Sequence, residues 1–303
     1  MTLPGKQIPL TLIQMSLAVL VAFLWAICFP FIEIGHRAAT PLQFAGMRAL
    51  IAGLSVFIPI LFLDRRFLSM FSFWRASFWI GLTYTAMGFA GMFLADGRIA
   101  PGMATVLTNI QPFLAAIVAY LILSERLTRS VIWGLGIGFF GVFIIALPKL
   151  DLSGQGEYIV GIGYILLGAL GTAIGNVLMK KHSGEYSPLA LTAGQMLLGS
   201  IVLFLCSFLF EQWPEIDWHP SFILSLFVLA VPGAAVAVAI WLFLLKSISV
   251  TRLNVFTFLT PVFGLAIGVL YFEEQLSTID IVGILIIFIG LYLIIRAEQR
   301  RSP

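Results

Sequence analysis

Apolar residues in this chain come in long unbroken runs, each about twenty residues and each closed by a short break of charged, proline or glycine positions. Those runs predict ten helices, at residues 12–34, 42–63, 74–95, 101–123, 129–147, 157–180, 188–210, 221–245, 250–271 and 278–296. Helix is the expected form, because a backbone in hydrocarbon must satisfy its own hydrogen bonds and the sequence lacks the alternation of a membrane barrel. The first run follows a short polar start with one lysine, yet it is longer than the core of a secretory signal and no small-residue cleavage pattern follows it. It is expected to remain as the first helix.

One stretch occurs twice. A shift of 149 residues lays Ile99–Ile145 on Ile248–Ile294, with Pro112 on Pro261, Glu125 on Glu274, Leu127 on Leu276, Gly134 on Gly283 and Gly141 on Gly290. Each copy is an apolar run with a proline near its middle, an acidic turn, and a second apolar run studded with glycine. That is the pattern of a helix hairpin. Thr128 and Ser277 coincide under the same shift, and each stands where an N-cap would open the second helix. Identities outside these anchors are few, so the duplication is one of shape.

Composition turns the runs into membrane spans. The chain is 60% hydrophobic and 10% charged, where a soluble domain carries roughly 25% charge. The basic residues then report orientation. With the N-terminus inside, thirteen Lys and Arg fall in cytoplasmic segments, among them Arg65, Arg66, Lys180 and Lys181, and only Arg37, Arg98 and Lys149 fall outside. This bias places both termini in the cytoplasm. Five helices per half is an odd number, so the second half must enter from the opposite face. The expected fold class is an all-α integral membrane protein of ten transmembrane helices in two inverted five-helix repeats, 12–147 and 157–296, joined by an external linker at 148–156. The segment Glu211–Pro220, with Trp213 and Trp218, is expected to lie along the outer headgroups.

The charge pattern also excludes partners. Basic residues are scattered and form no stripe with aromatics, so no nucleic acid is expected. Cys28 and Cys206 fall inside apolar runs, and neither a disulfide framework, a metal site nor a cofactor is expected.

The inverted ten-helix duplication, the two proline-centred runs ending in acidic turns (Gln111-Pro112 to Ser124-Glu125-Arg126-Leu127, and Thr260-Pro261 to Glu273-Glu274-Gln275-Leu276) and the tryptophan in helix one resemble the drug/metabolite transporter superfamily, in its EamA-type branch. The resemblance covers the whole chain. It implies export of small metabolites, often amino acids, and the well-described members that this length and topology most resemble export aromatic and other neutral amino acids.

Several residues are candidates for the chemistry. Pro112 and Pro261 each remove a backbone donor near mid-span and free carbonyls for a cavity or a hinge, and their matched positions favour a hinge. Pro30 and Pro232 have no counterparts and read as ordinary membrane-helix prolines. Around the matched pair lie Thr108, Asn109 and Gln111 in helix four and Asn254, Thr257 and Thr260 in helix nine, with Asn176 and Gln195 in helices six and seven. Polar side chains in hydrocarbon need partners, so these face the interior, where substrate contact and helix-to-helix bonding are both open readings.

Arg48 is the only unambiguous intramembrane charge, away from the span ends and roughly 10 Å from its outer end. It could pair with a substrate carboxylate, or it could snorkel to the outer headgroups or pair with Glu33. Trp25 and Tyr84, near the middle of their spans, need partners for their N–H and O–H groups and are candidates for a cavity wall, with Tyr164 a weaker one. Trp241, near a cytoplasmic helix end, reads as an interfacial belt residue. Glu125 and Glu274 lie at helix ends and read as caps. The spacings Gly134/Gly138, Gly171/Gly175 and Gly264/Gly268 allow close helix approach, in helix five within the molecule.

These observations lead to a polytopic transporter of the inner (plasma) membrane. Its expected partners are a small-molecule substrate, with neutral or aromatic amino acids foremost, and the lipid bilayer, and its expected mode is alternating access. Another metabolite or drug of the same superfamily is the alternative cargo; a non-transporting scaffold or receptor is the alternative class. A monomer is compatible with the sequence, which leaves the oligomeric state open. An intramembrane enzyme would need a clustered catalytic set, but there is no His-Glu-x-x-His and no paired mid-span aspartates, and His36, His182 and His219 fall in loops.

Overall fold

The computed structural model describes residues 11–36, 38–63, 65–95, 98–99, 107–125, 127–147, 155–213, 215–272 and 277–299. Its helices are α1 (Leu12–His36), α2 (Pro41–Leu63), α3 (Phe71–Ala95), α4 (Gln111–Leu123), α5 (Arg129–Ala146), α6 (Gln155–His182), α7 (Pro188–Phe210), α8 (Pro220–Leu245), α9 (Val250–Val255), α10 (Leu259–Phe272) and α11 (Thr278–Gln299). Among the described residues, 7 helical runs are long and apolar enough to cross a membrane, and α4, α5 and α11 contribute shorter apolar helices. The chain is a multi-pass helical membrane protein.

Two of the predicted spans are broken. Helix four, expected unbroken over 101–123, turns at Asn109–Ile110, so that Pro112 is the second residue of α4. In helix nine a 3-10 turn at Phe256–Phe258 separates α9 from α10, of which Pro261 is the third residue. The prolines therefore open helices and do not sit mid-helix, and there a missing N–H forfeits no intrahelical bond. Two other spans widen without breaking. Gly81–Met87 in α3 and Val231–Val236 in α8 are π-helical. The 149-residue shift carries the first π segment onto the second, and it carries the first break onto the end of the second, where the two overlap at Phe258.

Glycine sets the tightest packing. A Cβ on Gly290 would lie 2.7 Å from the Gly138 nitrogen and 2.8 Å from the Gly134 oxygen, and one on Gly141 would lie 2.7 Å from the Gly283 oxygen. Helices α5 and α11 thus run antiparallel with their backbones in contact, and the pairs Gly134–Gly290 and Gly141–Gly283 exchange under the shift. Gly171 and Gly175 seat Met87 and Tyr84 of α3 in the same way. Gly264 has no atom within 4 Å of its Cβ position, so it makes no such contact.

Carboxylates close the helix starts across the fold. Glu125 accepts from the Val250 and Thr251 backbone N–H groups at 2.9 and 3.3 Å and from the Thr251 hydroxyl at 3.0 Å. It caps α9, a helix more than a hundred residues away, and not its own hairpin. Glu211 does the same for α2, accepting from Leu42 N at 2.8 Å, Gln43 N at 3.2 Å and Thr40 Oγ1 at 2.7 Å. Orphan N–H groups and the helix dipole both favour a carboxylate there. The expected local caps also form: Thr128 Oγ1 accepts from Val131 N at 3.4 Å, and Ser277 and Asp280 cap each other reciprocally at 3.2 and 2.9 Å. Trp213 and Trp218 are half exposed, Trp213 donating to the Ser207 hydroxyl that bonds Glu211 and Trp218 lying against Phe222, and Glu274 lies outside the described residues.

Candidate functional site

The interior of a membrane bundle is a costly place for amide groups, so those present are drawn together. Asn254, fully buried on α9, accepts at Oδ1 from Gln111 Nε2 of α4 and from Asn176 Nδ2 of α6, the latter at 3.2 Å, and donates to Val250 O at 2.8 Å. Asn176 in turn accepts from the Trp241 indole N–H at 2.7 Å. Trp241 stacks at 4.9 Å and 52° on Trp25 of α1. Five helices therefore meet in one polar and aromatic seam. Each bond here replaces a buried unpaired group that would cost about 1–3 kcal/mol.

Trp241 corrects the sequence reading. It is 0% exposed and bonded inside the bundle, not an interfacial residue. Its distance from the helix end was a poor guide because α8 is apolar all round, so no polar stripe marks which side faces in. The signal available was its counterpart: an indole N–H in a span needs a buried acceptor, and Asn176 was a candidate.

The other candidates divide between this seam and a second cluster. Asn109 is buried in the turn before α4 and engaged in contacts, and the half-buried Thr108 is engaged too. Thr257 donates to Asn254 O at 2.7 Å, so it supports the break in helix nine from within. Gln195 is met by the Thr85 hydroxyl of the α3 π segment, a pairing between α7 and α3 away from the seam. Tyr84, 5% exposed, is seated on Gly175 next to Asn176.

Arg48 neither snorkels nor pairs with Glu33. It is 3% exposed, whereas Glu33 is exposed on the outside of α1. Its Nε donates to Leu229 O at 3.1 Å, and its Nη2 lies 3.5 Å from Gly233 O and 3.6 Å from Cys28 Sγ. The guanidinium covers the Phe89 ring at 4.3 Å. The Gly233 carbonyl belongs to the π segment of α8 that holds Pro232 and the Leu229 carbonyl to the turn just before it, where regular i to i−4 pairing gives way, so this proline has a local consequence after all. Among the described residues no group of three or more His, Cys, Asp or Glu could hold a metal ion.

A helical membrane protein whose broken and widened helices gather amides and indoles into its interior has the make-up of a small-molecule transporter. The chain belongs to the EamA-like transporter family, whose model matches residues 12–147 and again 159–296. It is 28% identical to a "Probable amino-acid metabolite efflux pump" of Escherichia coli, over 91% of this chain and 93% of that protein. It is 29% identical to a protein of the same name from Salmonella typhimurium, over 91% and 93%. It is 26% identical to the uncharacterised transporter YoaV of Bacillus subtilis, over 93% and 96%. A crystal structure with 18% sequence identity superposes with a TM-score of 0.80, covering 96% of this chain and 99% of the other, which establishes the shared fold.

Proposed function

We propose that this protein is a secondary transporter that exports small metabolites, foremost neutral or aromatic amino acids, across the plasma membrane. The observation that carries the reading is the seam of Gln111, Asn176, Asn254, Trp241 and Trp25, which offers amide donors and acceptors beside an aromatic face. A zwitterion with an apolar side chain matches that chemistry. The relatives called amino-acid metabolite efflux pumps support the same cargo.

Alternating access is the proposed mode, with two inverted five-helix repeats, 12–147 and 157–296, both termini cytoplasmic, and the matched breaks before Pro112 and Pro261 as hinges. Paired irregularities in the backbone favour it, because discontinuous helices supply unpaired backbone groups near a central site. Counterflow in proteoliposomes tests the reading. Vesicles loaded with unlabelled phenylalanine or threonine should draw in the labelled amino acid, and Asn254→Ala should abolish uptake in protein that remains folded. Absence of counterflow for every amino acid in folded protein would remove the cargo.

A further inference from the structure

A guanidinium buried in a membrane bundle requires an account of its charge. Arg48 sits where α1, α2, α3 and α8 converge, and no carboxylate among the described residues forms an ion pair with it. Its hydrogen-bond partners are two carbonyls and a thiol, which leave the net charge uncompensated. The distribution of those bonds is uneven. The Nε edge is well held at 3.1 Å, the Nη2 contacts are long at 3.5 and 3.6 Å, and Nη1 is buried with no hydrogen-bond partner. The free edge, Nη1 with Nη2, is the one that takes a carboxylate in bidentate fashion.

The placement of this edge relative to the seam is informative. Cys28, which touches Nη2, lies three residues beyond Trp25 on α1, a rise of about 4.5 Å. On α3, Tyr84 is seated against Gly175 beside Asn176, and Phe89, five residues further on, lies under the Arg48 guanidinium. Gly233 and Trp241 connect the two regions along α8. The separation suits one small molecule with its acid group at Arg48 and its body against the Trp25 ring.

We infer that Arg48 is the carboxylate anchor of the transported molecule, so that the cargo is restricted to compounds bearing an acid group. The inference rests on the transporter reading above and narrows it. Seating the acid requires the groups around the guanidinium to part, which ties occupancy to rearrangement at Phe89 of α3 and at the π segment holding Gly233. Cationic drugs without an anionic group and neutral amines are excluded.

The test compares phenylalanine with phenylalaninamide and phenethylamine, as competitors and as labelled substrates, in proteoliposomes of wild type, Arg48→Lys and Arg48→Gln. In wild type the acid should compete at least roughly 10-fold better than the amide, the ratio expected for a hydrogen bond to a charged group. Arg48→Lys should weaken the acid while keeping its preference, and Arg48→Gln should bring the acid down to the level of the amide. The wild-type comparison stands by itself should a variant fail to fold. Equal competition by acid and amide in wild type, or an acid preference that survives in Arg48→Gln, overturns the anchor. Uptake of amide and amine with none of the acid overturns it too, while leaving the transporter reading in place. Uptake of no compound overturns both.

Discussion

Trp241 gives its indole N–H to Asn176 while its ring lies 4.9 Å from that of Trp25, so one side chain joins the amide seam of the bundle to its aromatic wall. The two functions are separable by substitution. Trp241→Phe keeps a ring for Trp25 and strands the Asn176 oxygen, which should cost about 1–3 kcal/mol. Trp241→Ala also opens a cavity and should cost about 3–5 kcal/mol. Thermal unfolding in detergent should rank the variants in that order, with transport falling in both. Equal melting of Trp241→Phe and wild type would show that the bond contributes nothing.

Asn254 is the hub of the seam, and its variants should separate bonding from bulk. Asn254→Leu keeps the branched side-chain skeleton but leaves Gln111 and Asn176 without their shared acceptor. Counterflow should fall at least roughly 10-fold, as for loss of buried hydrogen bonds in a binding site. Asn254→Asp retains the acceptor and should recover part of the flux. Full activity of Asn254→Leu would move the substrate away from this seam.

The helix runs and the local caps at Thr128 and Ser277 were readable in the sequence, because both depend on neighbours along the chain. So was the membership of Gln111, Asn176 and Asn254 in one interior, since amides in hydrocarbon must find each other. What could not be read was direction. Trp241 and Arg48 are placed by the sides of helices that are apolar all round, where no polar stripe distinguishes lipid from interior. The partners of Arg48 are the Cys28 thiol and two backbone carbonyls in and just before a π segment, and no residue type announces such a segment; Pro232 was its only sign. Glu125 was read as a helix-end cap, and the helix it caps is α9, a tertiary fact.

Glu125 supplies a third prediction. Glu125→Ala removes the carboxylate from the start of α9 and should destabilise by about 0.5–2 kcal/mol, the usual range for a lost cap. Glu125→Gln keeps one acceptor and should lose less. If the carboxylate is only a cap, Glu125→Gln transports with the same response to an imposed pH gradient as wild type. A flux that loses its pH-gradient dependence in this variant would assign Glu125 to proton coupling.

The glycines offer the sharpest contrast, because identical substitutions should have opposite outcomes. At Gly290 a Cβ would press on the Gly138 nitrogen and the Gly134 oxygen, both backbone atoms that cannot rotate away. Gly290→Ala must therefore push α5 and α11 apart along their whole shared face, and the overpacking range of about 1–3 kcal/mol applies. At Gly136, on the same helix as Gly138, no atom lies within 4 Å of the Cβ position. Gly136→Ala adds helix propensity without contact and should be neutral or stabilising by up to about 1 kcal/mol. Gly264→Ala belongs with Gly136, although its spacing to Gly268 resembles a close-packing motif. Melting temperatures of the three alanine variants in one detergent decide the matter. A loss at Gly264 equal to that at Gly290 would mean that α10 also packs through its glycines, in a conformation or assembly other than this one.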